Sequence, residues 1–150
     1  MNKPVKLSEL VDEMVAQFED WRTYLNVKTG EIIPISEEDL RAVEDEEEDY
    51  ILGNKEVIVD ILENSEDYIE LPTKYEIDEY DMMENFCLTV HKERSMRLLQ
   101  DAIKANKPFR RFKDMIERLG LREEWFSYRD ECYKEIAKSW CQDWGAEWTE

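Results

Sequence analysis

The chain has 150 residues, close to the usual size of one domain, and its 42% hydrophobic and 11% aromatic content is enough to build a folded core. Its formal net charge of −18, from 38 acidic and 20 basic residues, argues against bulk binding to nucleic acid or to anionic membranes, because both attract basic surfaces. No stretch approaches the roughly 20 apolar residues of a membrane span, and no apolar segment of a signal peptide follows the N-terminal lysines.

The first predicted element is an amphipathic helix. Ser8 is placed to cap its N-terminus, and we expect the helix to end near Asp20. Its apolar face consists of six residues at helical spacing: Leu7, Leu10, Val11, Met14, Val15 and Phe18.

A β-hairpin is predicted next, over residues 21–35. Residues 21–27 are rich in aromatic and β-branched side chains, and Thr29-Gly30 supplies the turn before the return strand. Pro34 has no amide donor, so we expect the return strand to lie at a sheet edge or to end there.

A second helix is predicted to begin at Ser36, which forms a weak capping box with Asp39. It runs into six consecutive acids, Glu44–Asp49, whose mutual repulsion favours a frayed end or an exposed loop. A short amphipathic helix near residues 57–62 and a third strand at Tyr68–Leu71 follow.

Four more helices are predicted in the second half of the chain. Thr73 and Glu76 form a capping box for the first, whose apolar face continues to Val90, and the second spans about residues 93–105. The third begins at Pro108 and stops at Gly120, with a buried stripe of Phe109, Phe112, Ile116 and Leu119.

The last predicted helix spans about residues 122–144. One face carries Trp125, Arg129, Tyr133, Ile136, Trp140 and Trp144. Trp148, beyond that helix, is either a core residue that folds back or, if exposed, an anchor for a partner. Together these elements predict a mostly helical α+β protein, a single domain over residues 1–150, with a small antiparallel sheet from the hairpin near 21–35 and the strand near 68–71.

No pattern of a catalytic, metal or cofactor site is recognisable. His91 is the only histidine and the chain has four glycines, so metal-ligand motifs and phosphate-binding glycine loops are missing, and we expect no metal and no cofactor. The three cysteines, an odd number without a C-x-x-C pair, indicate reduced thiols in the cytoplasm.

Two enzymatic alternatives remain open. Cys87 lies one helical turn before His91, which is within reach for a small hydrolase with a cysteine nucleophile. The second alternative is a hydrolase that uses a pair of carboxylates. With 38 acids in the chain, some carboxylates lie close together by chance, so such a pair is weak evidence for an enzyme. Cys87 lies on the apolar face of its helix, so a structural thiol is the simpler interpretation.

The most unusual segment is residues 104–113, which carries Lys104 and Lys107 followed by Arg110, Arg111 and Lys113, with no acid between them. Cations in the first turns of a helix oppose its dipole, so basic residues at the start of the helix that begins at Pro108 are unfavourable unless an anion lies nearby. We call Arg110, Arg111 and Lys113 the basic island, flanked by Trp125 and Arg129. The anion is either the acidic surface of the chain itself, over residues 37–49, or an external acidic or phosphate-bearing partner.

These observations favour a non-catalytic interaction module that uses the basic island. A third alternative is an acidic mimic of nucleic acid that binds a basic protein through residues 37–49. No residue predicts the oligomeric state.

Parts of the chain resemble a known family. The stretch Phe109–Asp114, followed by Gly120, Glu124–Phe126 and Tyr128-Arg129, resembles the C-terminal signature of uncharacterised protein family 0158, a bacterial family. Members usually have a pair of small residues where this chain has Lys107-Pro108. The resemblance implies a bacterial cytosolic protein and carries over no catalytic residue. Other similar landmarks are the hairpin Tyr24–Glu31, the strand Tyr68–Pro72 and Met83–Phe86.

Overall fold

The computed structural model describes residues 2–46, 53 and 55–150. The predicted α+β fold is confirmed, with mostly helical elements, a three-stranded antiparallel sheet and a short parallel pair. The chain forms two compact units: unit 1 comprises Met1–Glu76 and Lys134–Glu150, and unit 2 comprises Ile77–Tyr133. A single domain over residues 1–150 stays a prediction, and residues 47–49 of the predicted acidic loop lie outside the described residues.

The three-stranded sheet of unit 1 is formed by β2 (Trp21–Asn26), β3 (Ile32–Ser36) and β4 (Tyr68–Glu70), in the order β3-β2-β4. The predicted hairpin is confirmed, with Gly30 at φ 75°, a conformation that costs glycine little. The predicted edge position of Pro34 is also confirmed, because β3 pairs only with β2 in this sheet.

Helix α1 (Leu7–Val15) is shorter than predicted, and Ser8 does not cap it. Strand β1 (Val5–Lys6) directly precedes the helix, so Lys6 is the N-cap residue and the helix begins at Leu7. Four apolar residues of α1 are buried, whereas Phe18, beyond the end of the helix, is 74% exposed. The prediction that Phe18 belongs to the buried face is therefore wrong.

Two further helices complete the first part of unit 1, α2 (Glu37–Glu44) and α3 (Lys55–Glu63). The predicted cap of α2 is confirmed, since the amide of Asp39 donates to Ser36 Oγ at 3.1 Å. Apolar residues of both helices pack with the hairpin in a cluster of Ile35, Leu40, Ile58 and Ile61.

A second sheet in unit 1 is a parallel pair that the sequence did not predict. Strand β5 (Trp148–Thr149) lies beside β1, with Val5 opposite Trp148, so Trp148 folds back onto the fold. Trp140 is buried and its Nε1 donates to Glu70 O at 3.1 Å, but Trp144 is 63% exposed. The shared face that the sequence predicts for Trp140 and Trp144 is therefore not buried as far as Trp144.

The capping box at Thr73 and Glu76 is confirmed, because the amide and hydroxyl of Thr73 both lie 3.1 Å from Glu76 Oε1. The helix that it starts, α4 (Lys74–Ile77), ends after four residues, because Asp78 adopts a left-handed conformation with φ 55°. Asp78 then caps a separate helix, α5 (Glu79–Thr89), so the predicted continuous helix is two helices.

Unit 2 is completed by α6 (Glu93–Lys104), α7 (Pro108–Leu119) and the first half of α8 (Arg122–Trp144). The bounds of these three helices agree closely with the predicted ones. Gly120, at φ 68°, ends α7 as predicted. The described residues include no helix that is both long and apolar enough to cross a membrane. The core of unit 2 is built from Met82, Met83, Phe86, Cys87, Leu99, Ile103, Phe112, Ile116, Trp125 and Tyr133.

Candidate functional site

The basic island lies at the N-terminal end of α7. Its three side chains, Arg110, Arg111 and Lys113, are exposed, as are Lys104 and Lys107 just before them. Within residues 2–46, 53 and 55–150, no ion pair involves any of these five cations. All five therefore face solvent without an ion-pair partner in this part of the chain.

The start of α7 is not capped by a side chain. Lys107, the N-cap residue, makes no side-chain hydrogen bond to the helix, and Pro108 has no amide proton. Lys107 adopts the left-handed conformation, at φ 54°, which is uncommon for a residue other than glycine or asparagine. The helix dipole adds positive potential at this end, where the chain already places its cations.

The island divides between two sides of α7. Arg111 points to a groove of about 290 Å³ between α6 and α7, and its Nε donates to the carbonyl of Asn106 at 2.6 Å. Arg110 and Lys113 follow the opposite, outward side, because they lie one and two residues from Arg111 along a helix with 3.6 residues per turn. The groove is lined by Asp101, Ala102, Ala105, Arg111, Asp114, Met115 and Arg118.

Arg118 is a groove residue that the sequence analysis missed. It lies seven residues, or two helical turns, after Arg111, and this spacing places both on the same side of α7. The seven-residue spacing between Arg111 and Arg118 is the feature of the sequence that could have predicted their shared side. Asp101 and Asp114 line the same groove, so its formal charges balance. The excess positive charge lies instead on the outward side and at the N-terminal end of α7.

Trp125, predicted to flank the island, is part of the core. Its side chain is 5% exposed and packs edge-on against Phe86 and Phe112, with ring centroids 5.3 and 4.9 Å away, and stacks on Tyr128 at 6.4 Å. Trp125 therefore packs against α7 from the core side, and its side chain is too buried to contact a partner.

Arg129, the other predicted flanking residue, is engaged within unit 2. Its Nε lies 3.0 Å from Glu79 Oε1, and its guanidinium lies over the rings of Phe126 and Tyr133 at 5.9 and 5.6 Å. The hydroxyl of Tyr133 donates to the same Glu79 oxygen at 2.8 Å. Burial, followed by the hydrogen bond that the Tyr133 hydroxyl donates to Glu79, raises the pKa of Tyr133 above its ordinary value. Arg129 thus holds α5 and α8 together.

The Cys87–His91 pair has poor geometry for nucleophilic catalysis. Cys87 is fully buried, and burial raises the pKa of its thiol to about 11. His91 is exposed and lies beyond Val90, the C-cap residue of α5. A nucleophilic cysteine needs an accessible thiolate, which this position does not provide. In the part of the chain that the structure describes, no group of three or more His, Cys, Asp or Glu residues could hold a metal ion.

The chain matches a known protein family. A sequence model for a family described as Uncharacterised protein family (UPF0158) matches residues 2–147. No curated protein and no solved structure matches the chain.

Proposed function

Because the chain belongs to Uncharacterised protein family (UPF0158), whose description names no activity, we propose a function from its exposed groups: a non-catalytic interaction module that binds an acidic partner protein through the basic island. The observation that carries the proposal is the set of exposed cations at residues 104–113, without ion-pair partners in the described ranges, on a chain of net charge −18.

The energetics of α7 support this proposal. A cation in the first turn of a helix costs about 0.3–1 kcal/mol relative to a neutral group, because it opposes the dipole. No acidic residue lies in that turn beside Arg110, and within the described residues Arg110 forms no ion pair that would offset the cost. A carboxylate or phosphate of a partner would offset it, since arginine binds both through paired hydrogen bonds.

The contact surface of the proposal is the outward side of α7. Arg110 and Lys113, with Lys107 and Lys104 at the end of the helix, supply its charge. Trp125 and Arg129 act indirectly, by fixing α7 and α8 in place. We expect a bacterial cytoplasmic setting, in which an acidic protein segment is the partner.

The test is a double charge reversal with a matched control. Arg110→Glu with Lys113→Glu changes the net charge by −4, and Lys92→Glu with Arg94→Glu makes the same change at the start of α6. Arg110 and Lys113 lie in the first two turns of α7. Lys92 is the N-cap residue of α6, and Arg94 lies in its first turn. Glutamate is favoured near a helix N-terminus, so we expect both variants to remain folded.

Tagged wild-type protein and both variants are used to capture partners from a soluble extract of the source cells, with quantification by mass spectrometry. We expect a set of acidic proteins to bind the wild type and the control but to fall at least tenfold with the island variant. Equal recovery of these proteins by the two variants contradicts the proposal. So does the finding that the proteins which the island variant no longer captures are basic.

A further inference from the structure

A groove of about 260 Å³ in unit 1 has an almost entirely apolar lining. It lies beyond the end of α1, over the hairpin face on which Thr23 and Pro34 stand directly opposite each other. Two large aromatic side chains form part of its wall and remain in contact with water: Phe18 is 74% exposed and Trp21 is 44% exposed.

The walls of this groove are held in place. Gln17 Nε2 donates to Pro72 O at 2.8 Å and to Met14 O at 3.4 Å, and Thr23 is only 3% exposed. Trp21 stands in β2, paired with Ser36 of β3. A preformed apolar groove with exposed aromatic walls is typical of a binding surface, because aromatic side chains carry much of the energy of protein interfaces.

The groove has one acidic residue in its lining and two more directly after Phe18. Glu13 lines it, and the exposed residues Glu19 and Asp20 follow Phe18 directly. No basic residue occurs between Lys6 and Arg22. The Arg22 Nε is engaged elsewhere, at 3.6 Å from one Glu37 oxygen and 3.8 Å from one Glu70 oxygen.

The volume of the groove and the charge of the residues near it indicate what kind of group would bind there. Pockets for drug-sized molecules and cofactors hold about 300–1,000 Å³, so a groove of about 260 Å³ suits a single large side chain better. A second copy of this chain, with net charge −18, would be repelled from an acidic rim. Cationic groups beside the apolar side chain would be attracted to it.

We propose that this groove binds a peptide segment of a partner protein in which one bulky apolar side chain is flanked by lysine or arginine. The apolar side chain enters the groove against Phe18 and Trp21, and the flanking cations face Glu13, Glu19 and Asp20. This surface lies in unit 1 and prefers the opposite charge from the basic island, so the two proposals stand or fall separately.

The probe is a random dodecapeptide library displayed on phage, selected on the full chain after depletion on the Phe18→Ser variant. Because Phe18 is largely exposed, its replacement leaves the core intact, which a thermal melt followed by circular dichroism verifies. We expect the enriched peptides to share one Trp, Phe, Leu or Met flanked by Lys or Arg.

The affinity of one enriched peptide is then measured by fluorescence anisotropy against three proteins. We expect Phe18→Ala to weaken binding at least tenfold, and Phe126→Ala, which removes a 46% exposed aromatic side chain from unit 2, to leave it unchanged. Replacing the apolar anchor of the peptide by Ala, or its cations by Glu, should also abolish binding.

Three results would overturn the proposal. They are a library without enrichment, a consensus that lacks either the apolar anchor or the cations, and binding that Phe18→Ala does not weaken. Sedimentation velocity tests whether a second copy of the chain fills the groove instead. A wild-type dimer that dissociates in the Phe18→Ala variant would assign the groove to that second copy.

Discussion

Individual side chains of unit 2 divide into those that hold the fold and those that face solvent. Trp125 and Arg129 share α8 with many exposed residues, yet the first is surrounded by rings and the second is paired with Glu79. Among the described residues, Arg110 and Lys113 form no ion pair and no contact of a cation with a ring. The basic residues of 104–113 stand out in the sequence, but the pairing of Arg129 with Glu79 depends on α5, which lies much earlier in the chain.

Cys87 allows a prediction that bears on the enzymatic alternative. With its pKa raised to about 11, roughly one thousandth of the thiol is ionised at pH 8, and the sulfur is buried. We expect iodoacetamide at pH 8 to leave Cys87 unmodified in the native protein, as determined by peptide mass spectrometry.

The half-buried Cys132 is the internal control and should react faster than Cys87 in the same sample. In guanidinium chloride all three cysteines should react. Rapid modification of Cys87 in the native protein would restore the cysteine nucleophile as a candidate.

At the scale of elements, helix α7 shows how far periodicity determines burial. Its predicted stripe began at Phe109, but Phe109 is 47% exposed, whereas Phe112 and Ile116 are buried. A stripe fixes which side of a helix is apolar, and the ends of that stripe are buried only where a neighbouring element covers them. Phe109 packs edge-on with Tyr80, at 6.5 Å between ring centroids, and about half of its surface stays in water.

Two substitutions in α7 test this difference. Phe112→Ala removes a fully buried ring between Phe86 and Trp125 and should lower the free energy of unfolding by about 3–5 kcal/mol. Phe109→Ala should lower it by about 1 kcal/mol or less, since much of the ring already contacts water. Urea denaturation followed by tryptophan fluorescence measures both, and similar losses would show that α7 is packed differently.

Element boundaries were predictable where the local signal was strong. Gly120 and the apolar spacing after it set the limits of α7 and α8, and Thr29-Gly30 set the hairpin turn. Asp78 is a favourable N-cap residue, with Asp81 three residues later, but the apolar spacing continues across it, so the break between α4 and α5 did not stand out in the sequence. Strand β1 could not be predicted either, since two residues carry no periodicity and its partner, β5, is more than 140 residues away in the chain.

The charge of the whole molecule also has a measurable effect. At −18, exposed carboxylates repel one another, and this repulsion is larger in the compact folded state than in the extended unfolded chain. Raising NaCl from about 0.01 to 0.3 M screens it, so we expect the melting temperature to rise, by on the order of 2–4 °C for each kcal/mol gained.

The Arg94→Glu variant, whose net charge is −20 because one base becomes one acid, should show a larger rise in melting temperature with salt. Differential scanning calorimetry on both proteins measures the change. A melting temperature that falls with salt would mean that attractive ion pairs outweigh the repulsion.

The parallel pairing of Val5 with Trp148 has a consequence for the order of events during translation. Unit 2 is one continuous stretch, so every residue that it needs has been synthesised by Tyr133. Unit 1 needs Lys134–Glu150 to complete its core and its second sheet. At a synthesis rate of about 5–20 residues per second, residues 1–76 wait several seconds on the ribosome for residues 134–150, and until then the β1–β5 pair and the bond from Trp140 to Glu70 O are missing.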